Sequence, residues 1–269
     1  MLKASIIKLG DHMPEWMASG FRSDTALART ARPLLNRMVP EQETVVSIRS
    51  GAGKGLSLPV MPKSEKYYWT GTHEQHVQDA MVELLEPGMR FWDVGAHIGF
   101  FSIIAARLVG DTGAVMSFEP MPETRARLER SVQLNDFDNV SISEYAIGDT
   151  SETGTLHPPK LDDADAGGVE GRKMTLMWTL DAERGDGTGM SVDCRRLDDI
   201  ADQADPPDLL KIDAEGVEIE ALAGGIDLLK LRKTKVIVEM SDRETLERGR
   251  SLLPEHHFEL IGANHWLLT

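Results

Sequence analysis

The sequence predicts an α/β protein, and three observations carry that prediction. Apolar residues recur by turns at helical spacing and in short strand-like runs through most of the chain. Glycine, proline, asparagine and aspartate punctuate the changeovers. At "FWDVGAHIGFFS", residues 91–102, an apolar run ends in an acid and passes through a glycine turn into a second apolar run. That is the strand–turn–helix opening of a Rossmann-like unit. With 269 residues, 41% of them hydrophobic, the chain can bury a core of ordinary size.

Residues 1–72 read as an N-terminal extension. Helical pieces at about 14–38 lead to "TVVSIRSGAGKGLSLPVM", two short strands around a glycine-rich turn. Gly51, Gly53, Lys54 and Gly55 invite a phosphate-loop reading, but the order G-x-x-x-x-G-K-[ST] is missing and glycine follows Lys54. A hairpin turn fits better. Residues 73–269 form the main domain. Val77, Ala80, Met81, Leu84 and Leu85 make a helical stripe closed by Pro87 and Gly88. A strand (89–94), a helix (99–109), a strand (114–118), a helix (122–134) and a strand (140–145) follow. Residues 148–190 interrupt the rhythm with Pro158, Pro159, acidic residues and "ERGDGTG", an insertion of short strands and a loop that reads either as a lid over a site or as surface decoration. Regularity returns with a strand (208–213), a helix (217–230), a strand (235–240), a helix (243–253) and two last strands (258–262 and 265–269).

Composition narrows the partners. A formal net charge of −15 opposes nucleic acid as a partner. Cys194 is the only cysteine, so neither an intrachain disulfide nor a cysteine-rich metal site can form. No apolar stretch approaches the roughly 20 residues that span a bilayer, and the first residues lack a signal-peptide apolar centre. The expectation is a cytoplasmic protein without membrane attachment, with homo-oligomer formation left open.

The glycine turn decides the ligand. The dinucleotide fingerprint G-x-G-x-x-G, laid on Gly95, needs glycine where His97 and Phe100 stand, so a pyrophosphate would meet side chains instead of bare backbone. Asp93, Gly95 and Gly99 instead satisfy acid-x-Gly-x-x-x-Gly, which suits S-adenosylmethionine (SAM), a cofactor with a sulfonium, an amino-acid tail and no phosphate. Glu119 closes the next strand, placed to accept hydrogen bonds from both ribose hydroxyls. A nicotinamide-dependent oxidoreductase predicts that acid too, so the choice rests on His97 and Phe100.

These residues resemble the FkbM family of SAM-dependent methyltransferases. The resemblance lies in "GMRFWDVGAHIGFFSIIAA", "VMSFEPMPETRARLERSVQLNDFDNV", "YAIGD", "RRLDDI" and "DLLKIDAEGVEIEALAGG", between about Tyr67 and Met240. It implies a Rossmann-like SAM methyltransferase fold, a mostly parallel seven-stranded sheet with helices on both faces. It also implies O-methylation of a hydroxyl on a sugar, glycan or natural-product small molecule. His97 departs from it, since the family commonly has asparagine there. "YYWTGTHEQHV" resembles the family's W-x-G-x-x-E segment, which points Glu74 toward the SAM tail or sulfonium and lets Trp69 wall the site or fill the core.

On the acceptor side, strand alternation puts Lys211 and Asp213 on one face, so the lysine can reach the carboxylate. Asp213 is the first candidate for orienting or deprotonating the acceptor, and Glu215 the second. Glu218 serves the start of the next helix or the site. Glu239 completes an acidic rim that could hold Mg²⁺ through oxygen ligands. His76, His256, His257 and His265 are unassigned. A non-catalytic SAM-binding module is the remaining alternative, opposed by the intact set Asp93, Glu119, Asp213 and Glu215.

Overall fold

A computed structural model describes residues 42–157, 189–214, 216–231 and 233–269. The helical pieces expected at 14–38, the greater part of the expected lid (158–188) and Glu215 lie outside the described residues.

The described residues open with the expected hairpin, β1 (Thr44–Ser47) and β2 (Ser57–Val60), antiparallel with Thr44 opposite Val60. Lys54 sits exposed at its turn. A short helix α1 (Lys66–Thr70) stops at Gly71, whose left-handed φ of 74° suits glycine. Next come α2 (Gln75–Leu84), β3 (Arg90–Val94), α3 (Phe100–Val109), β4 (Ala114–Phe118), α4 (Pro122–Leu134) and β5 (Val140–Ser143). Pro122 opens α4 where its missing N–H costs nothing. The strand expected over 140–145 ends early, because the chain leaves the main sheet to form β6 (Ala146–Ile147). β6 pairs with β8 (Met190–Arg195), which also pairs with β7 (Thr153–Leu156). These strands carry the two ends of the insertion.

Then follow α5 (Leu197–Ala201), β9 (Leu209–Ile212), α6 (Glu218–Gly224), α7 (Ile226–Lys230), β10 (Lys235–Glu239), α8 (Arg243–Leu252), β11 (Phe258–Gly262) and β12 (His265–Leu268). The single helix expected over 217–230 is thus two. The break falls at a glycine pair that packing requires: a Cβ on Gly224 would lie 2.0 Å from the Gly148 carbonyl oxygen, and one on Gly225 would press on Leu197.

The main sheet has seven strands in the order β11-β12-β10-β9-β3-β4-β5. All run parallel except β12, which is antiparallel to both neighbours. Alternation along each strand feeds two cores. Phe91, Val115, Leu209 and Ile237 face α2, α3 and α4. Trp92, Phe118, Leu210 and Val236 face α5 through α8.

Hairpin and α1 belong to the first of these cores, where Val46, Leu58 and Trp69 pack with Phe91, Ile104 and Leu128. Among the described residues, those before residue 72 share this core with those after it. Polar ties fix the hairpin to α4: Arg127 forks onto the buried Glu65 carboxylate at 2.6 and 3.0 Å. Asn135 brackets Ser57, accepting from its N–H and donating to its carbonyl. Trp69 is therefore a core residue, its indole N–H donating to the Pro62 carbonyl. Burying such a ring contributes on the order of 3 kcal/mol.

Candidate active site

Parallel strands gather their carboxyl ends along one rim, where chain turns leave backbone groups for ligands. β3 delivers the glycine loop, β4 delivers Glu119, β9 delivers Asp213 and β10 ends in Glu239. Because β12 is reversed, its first residue, His265, pairs with Glu239 on the same rim.

In the loop, Gly95 has a φ of +76°, and a Cβ there would lie 1.8 Å from the Asp213 carbonyl oxygen. A side chain would thus strike the β9 turn before it met any cofactor. Gly95→Ala is expected to cost at least about 2 kcal/mol, from left-handed backbone strain plus the displaced turn. Thermal melting checks it; an unchanged midpoint would mean the two turns do not touch. His97 is also left-handed, at φ +51°, a conformation that asparagine tolerates more readily than most residues. Its backbone N–H donates to Glu119 Oε2 at 2.9 Å, while its ring meets the Tyr68 hydroxyl at 3.0 Å. Burial lowers the His97 pKa to about 4, so the ring is neutral. Gly99, also at positive φ, lets α3 approach Leu128 closely.

Asp93 lies beneath this loop with no exposed surface. Cross-strand register aligns Ser117, Asp93 and Lys211, and α3 adds Ser102. Ser117 Oγ donates to Ser102 Oγ at 2.9 Å, which donates to Asp93 Oδ2 at 2.6 Å. Lys211 Nζ lies 3.8 Å from Asp93 Oδ1 and donates to Asp213 Oδ2 at 3.1 Å. A buried polar line therefore runs from β4 to the end of β9. Burial opposes the Lys211 charge, but Asp213, Asp93 and Glu74 raise its pKa above the usual lysine range. Burial likewise works against an ionised Asp213, yet Lys211 wins and the carboxyl titrates at about 2. Asp93 is pushed up by burial, with Lys211 and Ser102 opposing the shift.

Both oxygens of Glu119 are fixed by backbone N–H groups, Oε2 by His97 and Oε1 by Met121. Burial still raises its pKa to about 7. Glu218 Oε1 accepts from the Ala214 and Gly216 N–H groups, so this acid shapes the turn after β9. Glu239 accepts from Asn264 and lies beside Asp213, where its side chain helps to hold the Asp213 carboxyl low. Ligand atoms of Asp213, Glu218 and Glu239 lie within 4.8 Å of one another.

Glu74 reaches the rim from the start of α2, flanked by His73 Nε2 at 3.6 Å and His265 Nε2 at 3.4 Å. Burial lifts its pKa to about 7 and lowers those of His73 and His265 to about 3 and 4. Glu74, Asp93, the Gly95–Gly99 loop, Glu119 and Asp213 thus converge. His265, Tyr68 and Ser102 join them without having been singled out in the sequence. No helix among the described residues is long and apolar enough to cross a membrane.

The chain is similar to known methyltransferases. The sequence model of the Methyltransferase FkbM domain matches residues 93–261, more than half of the chain. Methyltransferase sdnD of Sordaria araneosa is 29% identical over 153 residues, 49% of this chain and 58% of that protein. The AMB antimetabolite synthetase AmbE of Pseudomonas aeruginosa is 29% identical over 220 residues, 70% of this chain and 10% of that protein. The chain therefore spans only part of these relatives. A crystal structure of methyltransferase FkbM from Methylobacillus flagellatus KT aligns with a TM-score of 0.45 and 16% identity, over 76% of this chain and 55% of that one.

Proposed function

We propose, from the premise that this chain belongs to the FkbM methyltransferase family, that it moves the methyl group of SAM onto a hydroxyl of a sugar, glycan or natural-product small molecule. The observation that carries this reading is the convergence on one rim of the glycine loop, the pre-oriented Glu119 and an ionised Asp213. Gly95 to Gly99 would receive the cofactor, with Glu119 accepting from its ribose. Asp93 would serve the site from below, through Lys211, and Glu74 and Asp213 would flank the sulfonium and acceptor. In the transfer, an acceptor oxygen lone pair forms the new C–O bond. The S–C bond electrons return to sulfur, leaving S-adenosylhomocysteine, and the hydroxyl proton is released. Lys211 keeps Asp213 ionised and so makes it a weak proton acceptor. Its part is to hold and orient the hydroxyl.

Calorimetric titration with SAM and NAD⁺, followed by an acceptor screen scored by S-adenosylhomocysteine, tests the reading. Binding of NAD⁺ in preference to SAM would overturn it. Titration should also depend on pH. Ribose hydroxyls favour the Glu119 carboxylate over its acid, and the free carboxyl titrates at about 7. SAM affinity should therefore rise from pH 6 to 7.5, by roughly tenfold at most, with up to one proton released per cofactor bound. Glu119→Gln should flatten that slope. A parent protein with no slope would remove Glu119 from the ribose.

A further inference from the structure

Glu74, Asp213 and His265 come from three distant parts of the chain, the start of α2, the turn after β9 and the first residue of the reversed β12. Each nevertheless offers a ligand atom within 4.8 Å of the other two. Glu74 Oε2 and His265 Nε2 are shut off from solvent, lie 3.4 Å apart, and make no hydrogen bond to each other or to any other group. The His265 side chain is only 3% exposed and its Nε2 points into the cluster. A buried polar atom left without a partner costs about 1–3 kcal/mol. A single group that meets both atoms would remove two such costs together.

The atoms behind the cluster are already arranged. His265 Nδ1 meets His76 Nε2 at 3.0 Å, the kind of outer contact that fixes the ring of a ligating histidine. Asp213 is held from the other side by Lys211, which occupies Oδ2. From these contacts we propose that Glu74, Asp213 and His265 bind a divalent transition-metal ion on the rim at the carboxyl ends of the strands.

Tetrahedral ligand bonds of about 2.0–2.2 Å place donors about 3.3–3.6 Å apart, so the 3.4 Å between Glu74 Oε2 and His265 Nε2 already fits and the Asp213 carboxylate closes by about an ångström. An imidazole nitrogen beside two carboxylates favours Mn²⁺ or Zn²⁺ over Mg²⁺ and Ca²⁺, which take oxygen. The Mg²⁺ expected from oxygen ligands alone thus gives way to an ion with a nitrogen ligand. Carboxyl groups outnumber ammonium groups here, Glu74, Asp93, Asp213 and Glu239 against Lys211, and a bound cation would favour their ionised forms. The task of the ion deepens the methyltransferase reading and rests on it. Held beside the acceptor oxygen, the ion would make the hydroxyl more acidic, so that its proton passes to water as that oxygen takes the methyl group. Metal binding itself needs neither cofactor nor acceptor.

The test is a titration of metal-stripped full-length protein with Mn²⁺, free ion being read by its paramagnetic resonance signal, without SAM. One Mn²⁺ per chain is expected, and about a hundredfold excess of Mg²⁺ should not displace it. His265→Ala and Glu74→Gln should each weaken binding at least tenfold, about 1.4 kcal/mol. Glu74→Gln is the milder change and decides the matter if His265→Ala misfolds by circular dichroism. No stoichiometric binding in the parent, or binding that survives the substitutions, overturns the proposal. A chain that binds Mn²⁺ in this way but not SAM keeps the ion site and sinks the methyltransferase reading. SAM binding and turnover without Mn²⁺ binding give the converse.

Discussion

Asp213→Asn is expected to lower turnover by roughly 10²–10³ while SAM affinity stays within a few-fold. As the methyl group leaves sulfur, positive charge moves toward the acceptor oxygen and its proton. A carboxylate beside that oxygen therefore stabilises the transition state more than the ground state. Asn keeps the shape and removes the charge. Lys211 holds Asp213 ionised at a pKa of about 2, so the charge is present at any working pH and its loss acts across the whole pH range. The measurement pairs SAM titration with turnover at saturating SAM. Parental turnover would remove Asp213 from the chemistry, and a collapse of SAM affinity would move it into the cofactor pocket.

The second large effect is on stability. Lys211→Met would leave Asp93 and Asp213 without the ammonium that faces both, at 3.8 and 3.1 Å. Removing one partner of a buried ion pair typically costs 3–5 kcal/mol, or roughly 10 °C of melting temperature in a protein of this size. The sign with pH follows from the same charges. Without Lys211 the Asp213 carboxyl rises above its unfolded value and Asp93, already raised by burial, rises further, so the deficit is full at neutral pH and shrinks as acid protonates them. The variant should melt closer to the parent at pH 5 than at pH 8. An equal gap at both would mean that Lys211 contributes packing rather than charge.

The parts of this site that were legible in the sequence are those that depend on local geometry. Period-two alternation puts Lys211 and Asp213 on one face, and the 3.1 Å contact follows from it. Asp93, Gly95, Gly99 and Glu119 mark turns at strand ends and could be read without knowing which strands are neighbours. His265 could not be read that way. It reaches the rim only because β12 runs against the sheet and pairs with β10, a matter of strand order. Ser102 and Tyr68 depend on how α3 and α1 dock. The break between α6 and α7 likewise answers to Gly148, 76 positions away in the chain, and helical periodicity carries no trace of it.

At Gly95 the backbone of the glycine turn touches the backbone of the Asp213 turn with no room for a methyl group. Mechanically the two turns are one part, and neither can be remodelled without the other. Anyone redirecting this protein to a new acceptor should leave residues 95 and 213 alone and vary the walls. A library that moves the backbone of the Asp213 turn is expected to displace the Gly95 turn with it.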